Sequence, residues 1–360
     1  MKLANAALSW SIAMRKLWVG LDVGEKITNV CVLDESVDPI LEFSTGSSPS
    51  EIAIGLSTLC KPDIVAVAME TGSVGLPKRL IAMGFPVRVL DARSVHRFLS
   101  IRHHKTDVND ARGLAEVAQL GNLRSLEIFI RGSEAQRVRN LLITRNSMVT
   151  MHVGARNSLR SSLRNHGSEL TTLRVGKALR LQVEAELKSI TSLNGMTASN
   201  QIRPMLDACE MLASYISTLD LQVRQTAFSN VVTKRFMEIP GVGPICAVSF
   251  FSAIDEPHRF DHTTDVGAYL GLIPKISQSG TATYRSRITK SGDRMTRTHL
   301  VMAAGVMMSV AKKRCAISDW GVTLAKRIGY PKARMAVARK LAVAMLSMWK
   351  ADKSFDPYPT

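Results

Sequence analysis

Aromatic residues make up only 5% of this 360-residue chain. That scarcity argues against a surface that holds single strands by stacking many bases, and no RRM or KH signature is present. The five cysteines (Cys31, Cys60, Cys209, Cys246 and Cys315) are odd in number and scattered, with no CxxC and no Cys/His spacing suited to zinc. They exclude a disulfide-stapled scaffold and point to a reducing compartment, the cytoplasm. Long apolar runs are missing too. The longest late one, HLVMAAGVMMSVA at 299–311, falls short of the roughly 20 residues of a membrane helix. The opening MKLANAALSWSIAM is interrupted by Asn5, Ser9, Trp10 and Ser11 and has no clear cleavage box, so it reads as an extension, with Met14 as an alternative start. No internal repeat or low-complexity linker is found.

Acidic residues are also in deficit. Against 47 Lys+Arg stand 30 Asp+Glu, a formal net charge of +17. Such a surface attracts polyanions and holds them by releasing counterions, so nucleic acid is the expected partner.

From Lys16, KLWVGLDVG, ITNVCVLDE and PILEFSTG are short stretches rich in β-branched residues separated by turn residues, which predicts a three-stranded meander. SPSEIAIGLSTLC reads as a helix, DIVAVAME as a buried strand ending at Glu70, GLPKRLIAMG as a helix, FPVRVLDA as a strand and TDVNDARGLAEVAQLG as a helix closed by Gly121. The order βββαβαβα is that of an α/β, RNase H-like domain over about 15–125. Residues 126–230 carry almost no strand signal. There Met205, Cys209, Leu212, Ile216, Leu219, Val223 and Thr226 alternate spacings of four and three, a heptad seam. It suits either a coiled coil between copies or an amphipathic helix packed on its own domain.

A mostly helical region over 231–350 opens with FMEIPGVGPICAVSFFSAI. Two apolar helices around Pro-Gly-Val-Gly suggest a helix-hairpin-helix, in which Gly241 and Gly243 bring backbone N–H groups up to a DNA phosphate; a simple tight turn is the alternative. The tail that follows is basic.

The carboxylates carry the chemistry. Asp107 and Asp110, three apart on a helix, leave from one face. They repel unless a cation neutralises them, and oxygen-only ligands favour Mg²⁺, with Mn²⁺ able to substitute. In the βββαβαβα order the first and fourth strands are neighbours, so Asp22, Glu70, Asp107 and Asp110 are expected to converge as a metal site able to activate a nucleophile at a phosphodiester. Arg102, His103, His104 and Lys105, just ahead of the pair, are expected beside the nucleic-acid backbone.

GLDVG, METGS and VLDARSVHRFLSIRHHKTDVNDARGLAEV resemble the three blocks of the DEDD transposases of bacterial insertion sequences, a family that includes the Piv-type DNA invertases. IPGVGPICAVSFFSAIDEPHRF, VGAYLGLIPKISQSG and RITKSGDRMTRTHLVMAA resemble that family's second domain. The resemblance implies a RuvC-like domain whose tetrad is Asp22, Glu70, Asp107 and Asp110, and a catalytic serine in an SG element, here Ser279-Gly280. Ser277 stands two residues away, and Gln278 occupies a position where the family often has a second serine.

The implied activity is DNA transposition or inversion through a phosphoserine-linked intermediate at a composite active site, with donor and target DNA as substrates. Lys275, Arg285, Arg287, Lys290, Arg294 and Arg297 are candidate phosphate contacts around the serine. The resemblance further implies a structured noncoding guide RNA, and a homodimer or tetramer is expected because strand exchange must hold four DNA ends. Three rivals are a hydrolytic RuvC-like nuclease that does not need Ser279, a DNA-binding protein without catalysis, and an actin-like ATPase suggested by GLDVG. The last lacks the second acidic phosphate loop it requires.

Overall fold

Alternation of β-branched and small residues builds the first strands, and the continuous apolar run Ile64–Met69 makes a central one. In the computed structural model, β1 (Trp18–Val23), β2 (Ile27–Leu33) and β3 (Leu41–Gly46) form an antiparallel meander; β1 pairs in parallel with β4 (Ile64–Met69), and β4 with β5 (Val87–Asp91). The sheet has five strands in the order β3-β2-β1-β4-β5, so the first and fourth strands are neighbours as the sequence predicts. The structure describes residues 16–35, 38–57, 62–69, 75–99, 107–121, 126–194, 199–279 and 282–358.

Helices α1 (Pro49–Ser57) and α2 (Gly75–Ala82) cover one face of this sheet, where Leu17, Val19, Leu21, Val30, Val32, Val65 and Val67 pack against Ile52, Leu56 and Leu80. Helices α3 (Ala92–Leu99) and α4 (Asp107–Gln119) cover the other, with Ala66, Leu90, Val95, Leu114, Val117 and Ala118 buried beside Trp18. The expected order βββαβαβα is present with one addition. Helix α3 follows β5 directly, where the sequence reading ran on to α4.

Gly20 decides how closely α4 approaches. A Cβ built there would lie 2.0 Å from the Ala111 carbonyl oxygen and 2.4 Å from the Ala115 nitrogen. Only a hydrogen side chain lets the helix backbone rest on β1. Arg112 then reaches across to donate to both carboxylate oxygens of Glu42 on β3 at 3.1 Å, and Gln119 donates to the Asp34 carbonyl at 2.7 Å.

The chain divides into two compact units, 1–130 and 131–360. The second is mostly helical: α5 (Ser133–Asn165), α6 (Ala178–Asn194), α7 (Ser199–Ser229), α8 (Val231–Phe236), α9 (Pro244–Ile254), α10 (Asp265–Tyr269), α11 (Arg294–Ser309), α12 (Ala316–Ile328) and α13 (Tyr330–Ala351), with one two-stranded ribbon, β6 (Pro274–Ser279) and β7 (Ala282–Ile288). Helix α9 is its centre. Every residue from Cys246 to Ile254 is buried, as expected of a helix that is apolar all round. Phe250 meets Phe236 edge-on at 5.4 Å and Phe251 stacks on Trp349 at 5.3 Å. Four cysteines are free and buried, and burial pushes the Cys246 thiol up to about 12.

The heptad seam on α7 is used inside the chain. Helix α7 packs along α5, with Cys209, Ile202 and Leu206 meeting Leu159 and Leu163 at one end and Val223 and Ala227 meeting Val138 and Leu142 at the other. Of the seam itself Cys209 and Val223 are buried in this packing, and Leu212, Ile216 and Leu219 between them are half-buried. The residues left outward are others: Met211, Tyr215, Leu221 and Phe228 on α7, and Ile143 and Met151 on α5.

Two glycine substitutions test the packing. Gly20→Ala is expected to cost about 3 kcal/mol, the upper end of overpacking penalties, because backbone is what it would strike. Gly154→Ala, within α5 and with nothing near its added methyl, is expected to stabilise by about 0.5–1 kcal/mol. Urea unfolding of both variants beside wild type measures the difference.

Candidate active site and nucleic-acid interface

Residues two apart on a strand share a face, so Trp18, Gly20 and Asp22 all stand on the side of β1 that α4 covers. Trp18 packs with Leu114, Val117 and Ala118, and Gly20 lies against Ala111, Leu114 and Ala115. The helix therefore runs antiparallel to β1, and its first turn falls at the strand end that carries Asp22. Asp110 in that turn is half-buried, as is Asp22, which pairs across the ladder with Asn29. Asp107 is the first residue of α4 and one turn before Ala111. Glu70, one residue past the end of β4, lies outside the described residues, as do Arg102, His103, His104, Lys105 and the side chain of Asp107.

The structure thus brings Asp22 together with the N-terminal turn of α4, whose free N–H groups favour negative charge. No group of three or more metal-ligating side chains occurs among the described residues, and two of the four expected carboxylate side chains lie outside these. The donor chemistry still fits a hard divalent cation, since all four expected ligands supply oxygen. One thiol, Cys31, lies buried under α4 beside Ala111 and Ala115. Burial, reinforced by Glu42, pushes it up to about 12, so it stays protonated and is no ligand.

The second unit presents the ribbon β6–β7. Its ladder closes with Ser277 opposite Tyr284 and Ser279 opposite Ala282, leaving a two-residue connection of the kind that favours glycine. Ser279 is the last residue of β6; its side chain, Gly280 and the side chains of Ser277 and Arg285 lie outside the description. Lys275, Arg287, Lys290 and Arg294 are exposed around the ribbon, where cations can meet phosphates. Sequence reasoning placed the serine by resemblance alone and read no strands here, although the period-2 run ATYRSRI was the available signal.

The base of the ribbon is clamped. Thr289 N–H donates to the Ile273 carbonyl at 2.9 Å. Gly292 has φ +72°, and a Cβ there would lie 1.9 Å from the Tyr269 oxygen. Arg297, expected among the phosphate contacts, is instead buried and donates to the carbonyls of Leu270 and Ser291, both at 2.9 Å. Its sequence neighbourhood is basic, but its helix position turns it inward.

Asp293 starts α11 by accepting from the Thr296 N–H at 2.7 Å and pairs with Arg139 at 2.5 Å, with Arg131 at 3.9 Å. Burial pulls the Arg139 guanidinium below the usual arginine range, partly opposed by Asp293. Burial and the nearby Arg145 likewise push His299 down to about 4.

The expected helix-hairpin-helix corresponds to α8, the turn Met237–Gly243 and α9. Gly241, half-buried and with φ +88°, rests against α11: a Cβ there would lie 2.7 Å from the Ala303 oxygen and 2.8 Å from the Met307 nitrogen. Its glycine identity serves packing against α11. Gly243, the N-cap of α9, is exposed with open space before it. Among the described residues no helix is long and apolar enough to cross a membrane.

Two family models match the chain in succession. A family model described as "Transposase IS116/IS110/IS902 family" matches residues 233–318, and a DEDD transposase model of the IS110 type matches residues 19–167. The chain is 26% identical over 94% of its length to the transposase for insertion sequence element IS1111A of Coxiella burnetii, of which it covers 90%. It is 24% identical over 81% of its length to a probable family 20 transposase of Pseudomonas aeruginosa, covering 86% of it. It is 23% identical over 81% of its length to the transposase for element IS1328 of Yersinia enterocolitica, covering 83% of it.

Two outcomes test the clamp. Asp293→Ala leaves buried guanidinium charge without its partner and uncaps α11, so a loss of about 3–5 kcal/mol is expected in chemical unfolding. His299 gives a pH signature. The unfolded imidazole, near its ordinary 6.5, takes up a proton that the folded one refuses until about 4. Stability from neutral His299 is whole above pH 6.5 and declines as pH falls through that window. At about 1.4 kcal/mol per unit, wild type should lose about 2–3 kcal/mol more than His299→Gln between pH 7.5 and 4.5, read from urea midpoints at both pH values.

Proposed function

Because this chain belongs to the IS110 family of insertion-sequence transposases and is itself a DNA-processing enzyme, we propose that it cleaves and exchanges DNA strands through a covalent phosphoserine intermediate. The observation that carries this reading is the contact at Gly20, which sets the carboxylate-bearing first turn of α4 at the Asp22 end of β1. Asp22, Glu70, Asp107 and Asp110 would hold the divalent cation that a DEDD domain implies, Mg²⁺ with Mn²⁺ as substitute. When bound it supplies charge neutralisation at the phosphodiester.

Ser279 is the nucleophile. Its hydroxyl oxygen forms a bond to phosphorus, the bond from phosphorus to one deoxyribose oxygen breaks, and the serine proton ends on that released oxygen. The phosphoester count is unchanged. A hydroxyl of a second strand then attacks the same phosphorus, and the serine oxygen leaves and recovers a proton. Hydrolysis would lose the linkage, so a serine nucleophile in a chain that also carries an acidic metal site favours exchange over degradation.

Lys275, Arg285, Arg287, Lys290 and Arg294, with Gly241 and Gly243 at the turn before α9 and Gly280 at the ribbon turn, bind the DNA backbone. Arg102, His103, His104 and Lys105 steady the backbone beside the carboxylates. The net charge of +17 suits a second polyanion as well, the element's own structured RNA, as guide for donor and target DNA. The outward apolar residues Tyr215, Leu221 and Phe228 of α7 support assembly as a dimer or tetramer. The cytoplasm is the compartment such substrates require.

The test is covalent trapping. Purified protein, the RNA encoded beside its gene, Mg²⁺ and nicked DNA bearing the element's junction are combined, denatured, and searched for a protein–DNA adduct by mass spectrometry. An adduct at Ser279, absent in Ser279→Ala and in Asp22→Ala, is expected. Cleavage without an adduct would replace this reading with a hydrolytic nuclease, and an adduct at Ser277 would move the nucleophile by two residues.

A further inference from the structure

Of the five tyrosines of this chain, Tyr284 is the most exposed. Tyr269 is half-buried and donates to the Ala253 carbonyl at 3.2 Å, with Arg259 over its ring at 4.3 Å. Tyr330 reaches the Gly305 carbonyl and Tyr358 reaches Asp319. Tyr284 stands 66% exposed in β7, on a ribbon that has only two strands. Isolated two-stranded hairpins are marginal in water. An uncovered aromatic ring there, with exposed Lys275, Arg287 and Lys290 around it, suits a surface completed by a polyanion that also offers flat apolar faces.

Ladder register relates Tyr284 to the serine. Tyr284 opposes Ser277, and Ser279 opposes Ala282, so Tyr284 and Ser279 hold diagonal positions in the ladder. Diagonal neighbours in an antiparallel pair lie about 7–8 Å apart. A stacked strand rises about 3.4 Å per nucleotide. A base resting on Tyr284 would therefore belong to a nucleotide within about two steps of a phosphodiester presented at Ser279.

We propose that Tyr284 is a substrate-positioning residue that stacks on one unpaired DNA base beside the phosphodiester attacked by Ser279. The ring face does this work, and the hydroxyl does not. Stacking is tolerant of base identity, so the contact holds the strand in place without reading sequence. This rests on the reading of Ser279 as nucleophile only for the purpose of the contact; the contact itself is independent of the serine oxygen.

The probe is a DNA duplex with a single-stranded gap of roughly ten nucleotides, a length within ordinary single-strand site sizes, carrying 2-aminopurine within the gap. It is titrated with full-length protein without added metal. Wild type, Tyr284→Phe and Ser279→Ala should change the 2-aminopurine emission alike and bind within about twofold of one another. Tyr284→Ala should lose the emission change and bind about 5- to 150-fold more weakly, the range that loss of one stacked base produces. Its exposure lets it fold, which the unfolding midpoint verifies.

An unchanged Tyr284→Ala, or no emission change with wild type, overturns the proposal. A Tyr284→Phe variant that behaves like Tyr284→Ala also overturns it, because the hydroxyl would then be the active group. If Tyr284-dependent stacking is found but no Ser279 adduct forms with junction DNA, the nucleophile is wrong and the stacking stands. If the adduct forms and the emission ignores Tyr284, only the stacking fails.

Discussion

Backbone-to-backbone contact between α4 and β1 at Gly20 is the constraint on which the first unit depends. A side chain of any size at residue 20 would meet the Ala111 carbonyl and the Ala115 nitrogen, lifting the helix off the sheet. The helix would carry its first turn with it, and that turn bears Asp107 and Asp110. Carboxylates proposed to share one cation would tolerate little displacement, because their mutual repulsion returns as soon as a cation is shared poorly. The bidentate reach of Arg112 to Glu42 and the bond from Gln119 to Asp34 hold the same helix at other points along its length. Packing and electrostatics therefore converge on one geometry.

The second unit is organised on a different principle. Its core is an apolar helix, α9, surrounded by others, and its candidate chemistry sits on a ribbon that the core does not cover. Such a ribbon needs a fixed base to present its tip reproducibly. Charge supplies it: Asp293 caps α11 while holding Arg139, and Arg297 fastens the carbonyls on both sides of the ribbon's root. These groups are buried, and buried charge is costly unless paired. The clamp is stable only as a complete set, which makes it a poor place for variation and a good one for precision.

Much of the first unit was legible from local pattern. The strands β1 to β5 follow β-branched runs between turn residues, and the neighbourhood of β1 and β4 follows from their order. The pairing of Asp107 with Asp110 on one helix face needs only the 3.6-residue period. At the ribbon β6–β7 only the serine was placed, and by resemblance, because the one period-2 run there, ATYRSRI, is short and mostly polar and lacks the apolar alternation that marks a half-buried strand. The heptad seam of α7 was visible, but a seam states only that a helix partner exists; that the partner is α5 of the same chain depends on where the chain turns. Gly241 and Arg297 show a related ambiguity. Glycine permits close approach to a phosphate or to another helix, and arginine binds a phosphate or a pair of carbonyls, with identical residues in the sequence.

The sequence by itself determined the charge that commits the protein to polyanions, the strand and helix content of the first unit, and the acidic residues available to it. These follow from composition and short-range periodicity, which act within a few residues. Tertiary structure alone decided that α4 lies antiparallel to β1 with its acidic turn at Asp22, that Arg297 faces inward, and that Tyr284 stands uncovered diagonal to Ser279. Those outcomes depend on which surfaces exclude water against each other, and residues far apart in sequence settle that together.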